Sequence, residues 1–161
     1  MALQVAHTRK VRGGCKGENA MVPASALRVV IVDDDEVMRK LLRRTLERMG
    51  VMQIYTAKDG LEGIHLARSQ RPDVILSDYD MPIMHGLQFL KAVREDPLLA
   101  KTAFILLSGV ANSVVTSKAE ELGADIVIMK PFLANDLKAR IEALIYRLTG
   151  SNIEWEQTKS V

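Results

Sequence analysis

The sequence predicts a doubly wound α/β domain built from five βα repeats. Three observations carry that expectation. Five short aliphatic runs alternate with amphipathic segments from Leu27 onward, and four of the five runs are nearly all apolar. Strands buried on both faces of a parallel sheet read this way, because helices cover each side. A composition of 48% hydrophobic and 26% charged residues over 161 positions suits one domain with its own core.

The strands are expected at "RVVIV" (28–32), "QIYTA" (53–57), "DVILS" (73–77), "FILLS" (104–108) and "IVIM" (126–129). "QIYTA" mixes polar and apolar residues, as an edge strand does. In the first helix, Val37, Leu41, Leu42, Thr45, Leu46 and Met49 recur at three- and four-residue spacing, and Gly50 stops it. The second covers about 60–69, with Leu61, Ile64 and Leu66 as its contacts. The third starts after Gly86, carries Leu87, Leu90 and Val93, and ends near Asp96-Pro97. The fourth spans about 112–122 before Gly123, and the fifth about 135–148, with Leu137, Ile141, Leu144, Ile145 and Leu148 on one face.

Residues 1–26 hold Arg9, Lys10, Arg12 and Lys16 against Glu18 and read as a disordered leader or tag, with Met21 as a second plausible start. The folded domain is expected over 27–148, followed by a polar tail at 149–161 whose Trp155 packs on the last helix. That tail is too short for a DNA-binding or catalytic domain. A net charge of +2 gives no footprint for nucleic acid, and no apolar run approaches the roughly 20 residues of a membrane span. Cys15 is the single cysteine, and the first residues lack the apolar core of a secretory signal, so a cytoplasmic setting is expected.

The chemistry gathers where the strands end. In open α/β sheets, ligands bind beyond the carboxyl ends of the strands. The first strand runs into Asp33, Asp34 and Asp35; the third ends at Asp78, the fourth at Ser108 and the fifth at Lys130. Asp35 reads as the cap of the first helix. Taken singly, Asp78 reads equally well as a turn residue, Ser108 as the opening of the next turn and Lys130 as a solvated lysine before a proline. Together they place three carboxylates, a hydroxyl and an ammonium on one rim. Crowded carboxylates repel unless water, a helix N-terminus or a cation compensates them, and an all-oxygen set suits Mg²⁺ as the cation. Lys130 and Ser108 supply what a phosphoryl group needs, a positive charge and a hydrogen-bond donor. His65 and His85 read as surface residues, and no zinc ligand set is present at the strand ends.

"VVIVDDDEVMRKLL", "PDVILSDYDMPIMHG", "ILLSG" and "GADIVIMKPF" closely resemble the receiver domain of two-component response regulators, over about 27–148. The resemblance implies a flavodoxin-like (βα)5 fold with a five-stranded parallel sheet in the order 2-1-3-4-5. It implies that Asp78 is the phosphoacceptor. Asp34 and Asp78 would ligate Mg²⁺, with the backbone carbonyl of Asp80, and Asp33 would act through water. Lys130 would pair with Asp78 or its phosphate, and Ser108 would bond a phosphoryl oxygen. Met81-Pro82 and Gly86 would shape the loop after the acceptor. Asp80, Gly109 and Val110 would tune the loops and the phosphoryl lifetime, and Pro131 would follow a cis bond.

The implied donor is a histidine kinase or phosphotransfer protein. The implied readers are a downstream protein or a second copy, on the fourth helix, fifth strand and fifth helix. Neither nucleic acid nor a membrane is an expected direct partner. The protein is expected not to be an enzyme beyond self-phosphorylation from phosphodonors and slow self-hydrolysis. Two alternatives are a Mg²⁺-dependent phosphatase-like enzyme of small molecules and a phosphorylation-independent pseudo-receiver. The first lacks an inserted cap to enclose a substrate, and the intact acid set argues against the second. Three positions depart from the family pattern. Val127 stands where an aromatic switch residue is frequent, His85 replaces an acid before Gly86, and Asp80 adds a carboxylate.

Overall fold

The structure, a computed structural model, describes residues 20–110 and 112–156. The leader expected at 1–26 therefore lies outside the described residues as far as residue 19. The described elements are β1 (Met21–Pro23), a 3-10 turn (Ala24–Ala26), β2 (Arg28–Val32), α1 (Glu36–Arg48), β3 (Gln53–Ala57), α2 (Gly60–Gln70) and β4 (Val74–Asp78). After them come α3 (Gly86–Glu95), β5 (Ala103–Ser108), α4 (Ser113–Glu121), β6 (Ile126–Met129), α5 (Ala134–Thr149) and β7 (Asn152–Glu154).

Five of these strands form one parallel sheet in the order β3-β2-β4-β5-β6. Counted over the five βα repeats, that is the expected 2-1-3-4-5. The chain steps outward from β2 to β3, then crosses back over β2 to β4. The strand order thus reverses between β2 and β4, which opens a crevice at their carboxyl ends.

Alternation along each strand explains the apolar runs. Val29 and Ile31 of β2 join the cluster under α1 and α5, with Leu42, Leu46, Ile141 and Leu144. Val30 and Val32 face the other way, into the cluster under α2, α3 and α4 with Ile64, Phe89, Leu90 and Ala119. Both faces of β2 are covered from Val29 to Val32, so that run is apolar throughout.

Three sequence expectations are corrected. Val37 and Leu41, assigned to the core stripe of α1, are 74% and 56% exposed. At about 100° per residue they share the outer face, and Leu42, Leu46 and Met49 fill the inner one. Leu61 of α2 is exposed as well; that helix packs through Gly60, Gly63, Ile64 and Ala67. A Cβ on Gly63 would lie 3.0 Å from Val32, so the helix approaches the sheet more closely than a larger residue allows.

The third correction concerns the domain limits. Residues 21–26 and 152–154, expected outside the fold, are part of it. β1 and β7 pair in parallel, Met21 opposite Asn152 and Val22 opposite Ile153. Val22, Ala24 and Ile153 are buried in the same cluster as α5. Each strand has only three residues and one inward apolar side chain, so neither has a periodicity of its own. Trp155 packs against this cluster, with Lys138 Nζ of α5 5.5 Å from the ring centre. Among the described residues, no helix is long and apolar enough to cross a membrane.

Candidate functional site

The three aspartates after β2 take three different positions. Asp33 extends the ladder by one residue, its amide donating to Ala57 O at 3.1 Å, and its side chain is buried. Its Oδ1 accepts from the Asp35 amide at 2.9 Å, which closes a tight turn. Asp35 caps α1 as expected, its Oδ1 accepting from the Val37 amide at 2.8 Å. Asp34, between them, is exposed. Arg39 reaches back from α1, and its NH1 donates to the carbonyls of Asp33 at 2.6 Å and Asp34 at 3.0 Å.

Asp78 ends β4, opposite Leu107 of β5, and is buried. The chain leaves through Tyr79, whose amide donates to Leu107 O at 2.8 Å, and returns at Gly86. A Cβ there would stand 2.5 Å from the Asp78 carbonyl oxygen, so only glycine lets α3 begin this close to the end of β4. His85, expected as a plain surface residue, caps α3. Its Nδ1 accepts from the Gln88 amide at 3.4 Å, while Gln88 Oε1 accepts from the His85 amide at 3.1 Å. The glutamine three residues on was the readable signal for this reciprocal cap.

Lys130 enters from β6, its amide donating to Ser108 O at 2.7 Å, and the Lys130–Pro131 bond is cis. Its Nζ lies 2.7 Å from Asp78 Oδ1 and 3.5 Å from Asp33 Oδ2. Ser108 is buried, and its hydroxyl is engaged locally, accepting from the Val110 amide at 3.2 Å and donating to Val110 O at 3.4 Å. The structure thus gathers Asp33, Asp34, Asp78 and Lys130 at the crevice. Ser108 stands one strand away with its hydroxyl turned to the loop. Asp80, Gly109 and Val110 are exposed on the flanking loops. Val127, half-buried, packs into the cluster that holds Leu106 and Ala119.

Carboxylate oxygens of Asp33, Asp34 and Asp78 lie within 4.8 Å of one another. Burial raises the Asp33 carboxyl above its ordinary range, more strongly than the Asp35 amide pulls it down. Burial raises Asp78 too, against the hydrogen bond and charge of Lys130. Burial works to lower Lys130, but its bond to Asp78 and the two nearby carboxylates outweigh that and raise it. One ammonium therefore faces three carboxylates, two of them desolvated. The donor set is all oxygen, with no imidazole or thiolate. A hard divalent cation such as Mg²⁺ fits both that chemistry and the uncompensated negative charge.

The family model described as the response regulator receiver domain matches residues 29–142. The chain belongs to the response regulator receiver family. A probable chemotaxis protein CheY of Rhizobium etli is 40% identical to this receiver over 121 residues, 75% of this chain and 94% of the relative. The chemotaxis protein CheY of Pseudomonas aeruginosa is 30% identical over 124 residues, 77% of this chain and all of the relative. Among solved structures, Vibrio cholerae CheY4 superposes with a TM-score of 0.70 at 31% identity, covering 73% of this chain and 98% of that one. The family match leaves β1 and β7 of this receiver outside it.

Proposed function

We propose that this receiver accepts a phosphoryl group on Asp78 from a histidine kinase or phosphotransfer protein and passes the change to a partner-binding surface. The observation that carries the reading is Lys130 Nζ at 2.7 Å from Asp78 Oδ1, in a crevice shared with Asp33 and Asp34. An Asp78 carboxylate oxygen attacks phosphorus as the phosphorus–nitrogen bond of the donor phosphohistidine breaks. The imidazole nitrogen keeps the electron pair, and an acyl phosphate remains. Asp34 and Asp78 would hold Mg²⁺ with the Asp80 carbonyl, Asp33 acting through water; the ion supplies positive charge to the acids and the phosphoryl oxygens. Lys130 pairs with those oxygens, and its positive charge favours the transfer.

Output follows from Ser108. To donate to a phosphoryl oxygen its hydroxyl must release Val110 O, which draws on the loop leading into α4. Lys130 stands just ahead of α5. The surface built from α4, β6 and α5 is therefore the one that changes, read by a downstream protein or a second copy of the chain. No other catalysis is assigned beyond self-phosphorylation and slow hydrolysis of the acyl phosphate.

Acetyl phosphate with Mg²⁺ should add one acid-stable, base-labile phosphoryl group to the intact protein and none to Asp78→Asn. Equal labelling of the two would refute the acceptor. Amide NMR with beryllofluoride, a phosphoryl mimic, should move signals across α4, β6 and α5. Shifts confined to the strand rim would remove that surface as the output.

A further inference from the structure

We infer that Arg39 is a positioning residue for the metal site, holding the backbone that aims the Asp34 carboxylate. This rests on the reading of the acid pocket as a Mg²⁺ site. Asp34 is the exposed acid of the three, and the bonds that hold it in place are made by its backbone. Two peptide planes bracket it: one carries the Asp33 carbonyl, the other its own. A single guanidinium nitrogen, Arg39 NH1, donates to both oxygens, at 2.6 and 3.0 Å. Pinning both planes fixes the direction of the Cα–Cβ bond between them, and with it the line along which the carboxylate projects.

The anchor of this clamp is firm. Arg39 lies one turn into α1, its own amide bonded to Asp35 O at 3.0 Å, and α1 is buried through Leu42 and Leu46. The strand side is equally fixed, since Asp33 is buried and held by the Ala57 and Asp35 bonds. Mg²⁺ demands near-octahedral oxygen placement with little tolerance, so drift of this loop costs affinity directly. Groups that orient ligands from outside the coordination shell are typically worth 10- to 100-fold in metal affinity. The Arg39 bonds go to carbonyl oxygens, so a methionine of similar length keeps the stem's packing and loses the clamp. A lysine keeps the charge and, with its shorter reach, one of the two bonds.

The test is a Mg²⁺ titration of the full chain followed by amide NMR, on wild type, Arg39→Met, Arg39→Lys and Asp34→Ala, with urea unfolding in metal chelator alongside. Arg39→Met should weaken Mg²⁺ about tenfold with an unchanged urea midpoint, and Arg39→Lys should fall between it and wild type. In the metal-free protein, Arg39→Met should speed hydrogen exchange at the Asp35 amide, which closes the same turn. Arg39→Met binding within about twofold of wild type overturns the inference while leaving the Mg²⁺ site intact. So does weakening that lysine does not relieve and that tracks a lowered urea midpoint, since that is general destabilisation. If Asp34→Ala binds as well as wild type, the reading of the pocket fails and the inference falls with it.

Discussion

Lys130→Ala should destabilise the metal-free receiver, and Mg²⁺ should conceal much of the loss. The Nζ lies 2.7 Å from Asp78 Oδ1 and 3.5 Å from Asp33 Oδ2, with all three side chains largely buried. At an effective dielectric of about 20, those separations correspond to about 6 and about 5 kcal/mol of attraction. Returning the ammonium to water recovers several kcal/mol of desolvation, so the net loss is far smaller than their total. About 3 kcal/mol is expected, the usual cost of leaving a buried charge without its partner. With a slope of about 2 kcal/mol per molar urea, the midpoint in chelator should fall by about 1.5 M.

The pH dependence has a definite sign. Asp33 and Asp78 titrate above their ordinary 3.8 in the folded chain, chiefly through burial, so the folded state binds those protons more tightly than the unfolded one. Their contribution to stability is fully present below 3.8 and is lost as pH rises through the folded values. Removing Lys130 takes away a pull toward the charged form and raises those values further. The deficit of the variant should therefore be largest at neutral to mildly alkaline pH and shrink as the acids protonate. Saturating Mg²⁺ replaces the missing positive charge and should narrow the gap as well. A Lys130→Ala protein within about 0.5 kcal/mol of wild type in chelator at neutral pH would refute this account of the pocket.

Asp34→Ala should weaken Mg²⁺ more than Asp33→Ala, because Asp33 is already committed to the Asp35 amide and Lys130; the reverse order in a titration would exchange their roles. Val110→Asn or Val110→Glu should shorten the lifetime of the acyl phosphate, since an exposed aliphatic group beside the loop keeps water from phosphorus, and an unchanged decay rate would end that explanation. Ile153→Ala should cost about 2 to 4 kcal/mol in urea unfolding without altering Mg²⁺ affinity. A loss under about 1 kcal/mol would mean that β7 adds little to the core.

How much could be read in advance follows from where each signal resides. A strand covered on both faces is apolar along most of its length, so the polar residues at its carboxyl end stand out. Asp33, Asp78, Ser108 and Lys130 were visible for that reason, and the five strands with them. Apolar identity does not say which way a helical residue points, so Val37 and Leu41 were assigned to a face they do not occupy. Pairing of β1 with β7 joins opposite ends of the described chain through single inward side chains, and no local window contains both halves. Arg39 left no trace because its acceptors are main-chain carbonyls, which every residue has. The small face of α2 was hidden in the same way, since Gly60 and Gly63 matter for what they lack.

The proposed switch can be weighed from Ser108. A serine hydroxyl carries one proton, and in this structure it goes to Val110 O at 3.4 Å, a long bond. Moving that proton to a phosphoryl oxygen exchanges a weak neutral hydrogen bond for a charge-assisted one about twice as strong. Net hydrogen-bond energies run about 0.5 to 1.5 kcal/mol when neutral and about 1.5 to 3 kcal/mol to a charged group, so the exchange favours the drawn-in loop by about 1 to 2 kcal/mol. That is a population ratio of about 5 to 30, less whatever the loop loses on moving. Val127 has no ring to turn inward, so no second packing change adds to this bias. A ligand shifts a two-state surface only by its differential free energy for the two states. Phosphorylation of Asp78 should therefore leave a measurable fraction of the resting arrangement at α4, and a partner that binds the drawn-in form would complete the shift.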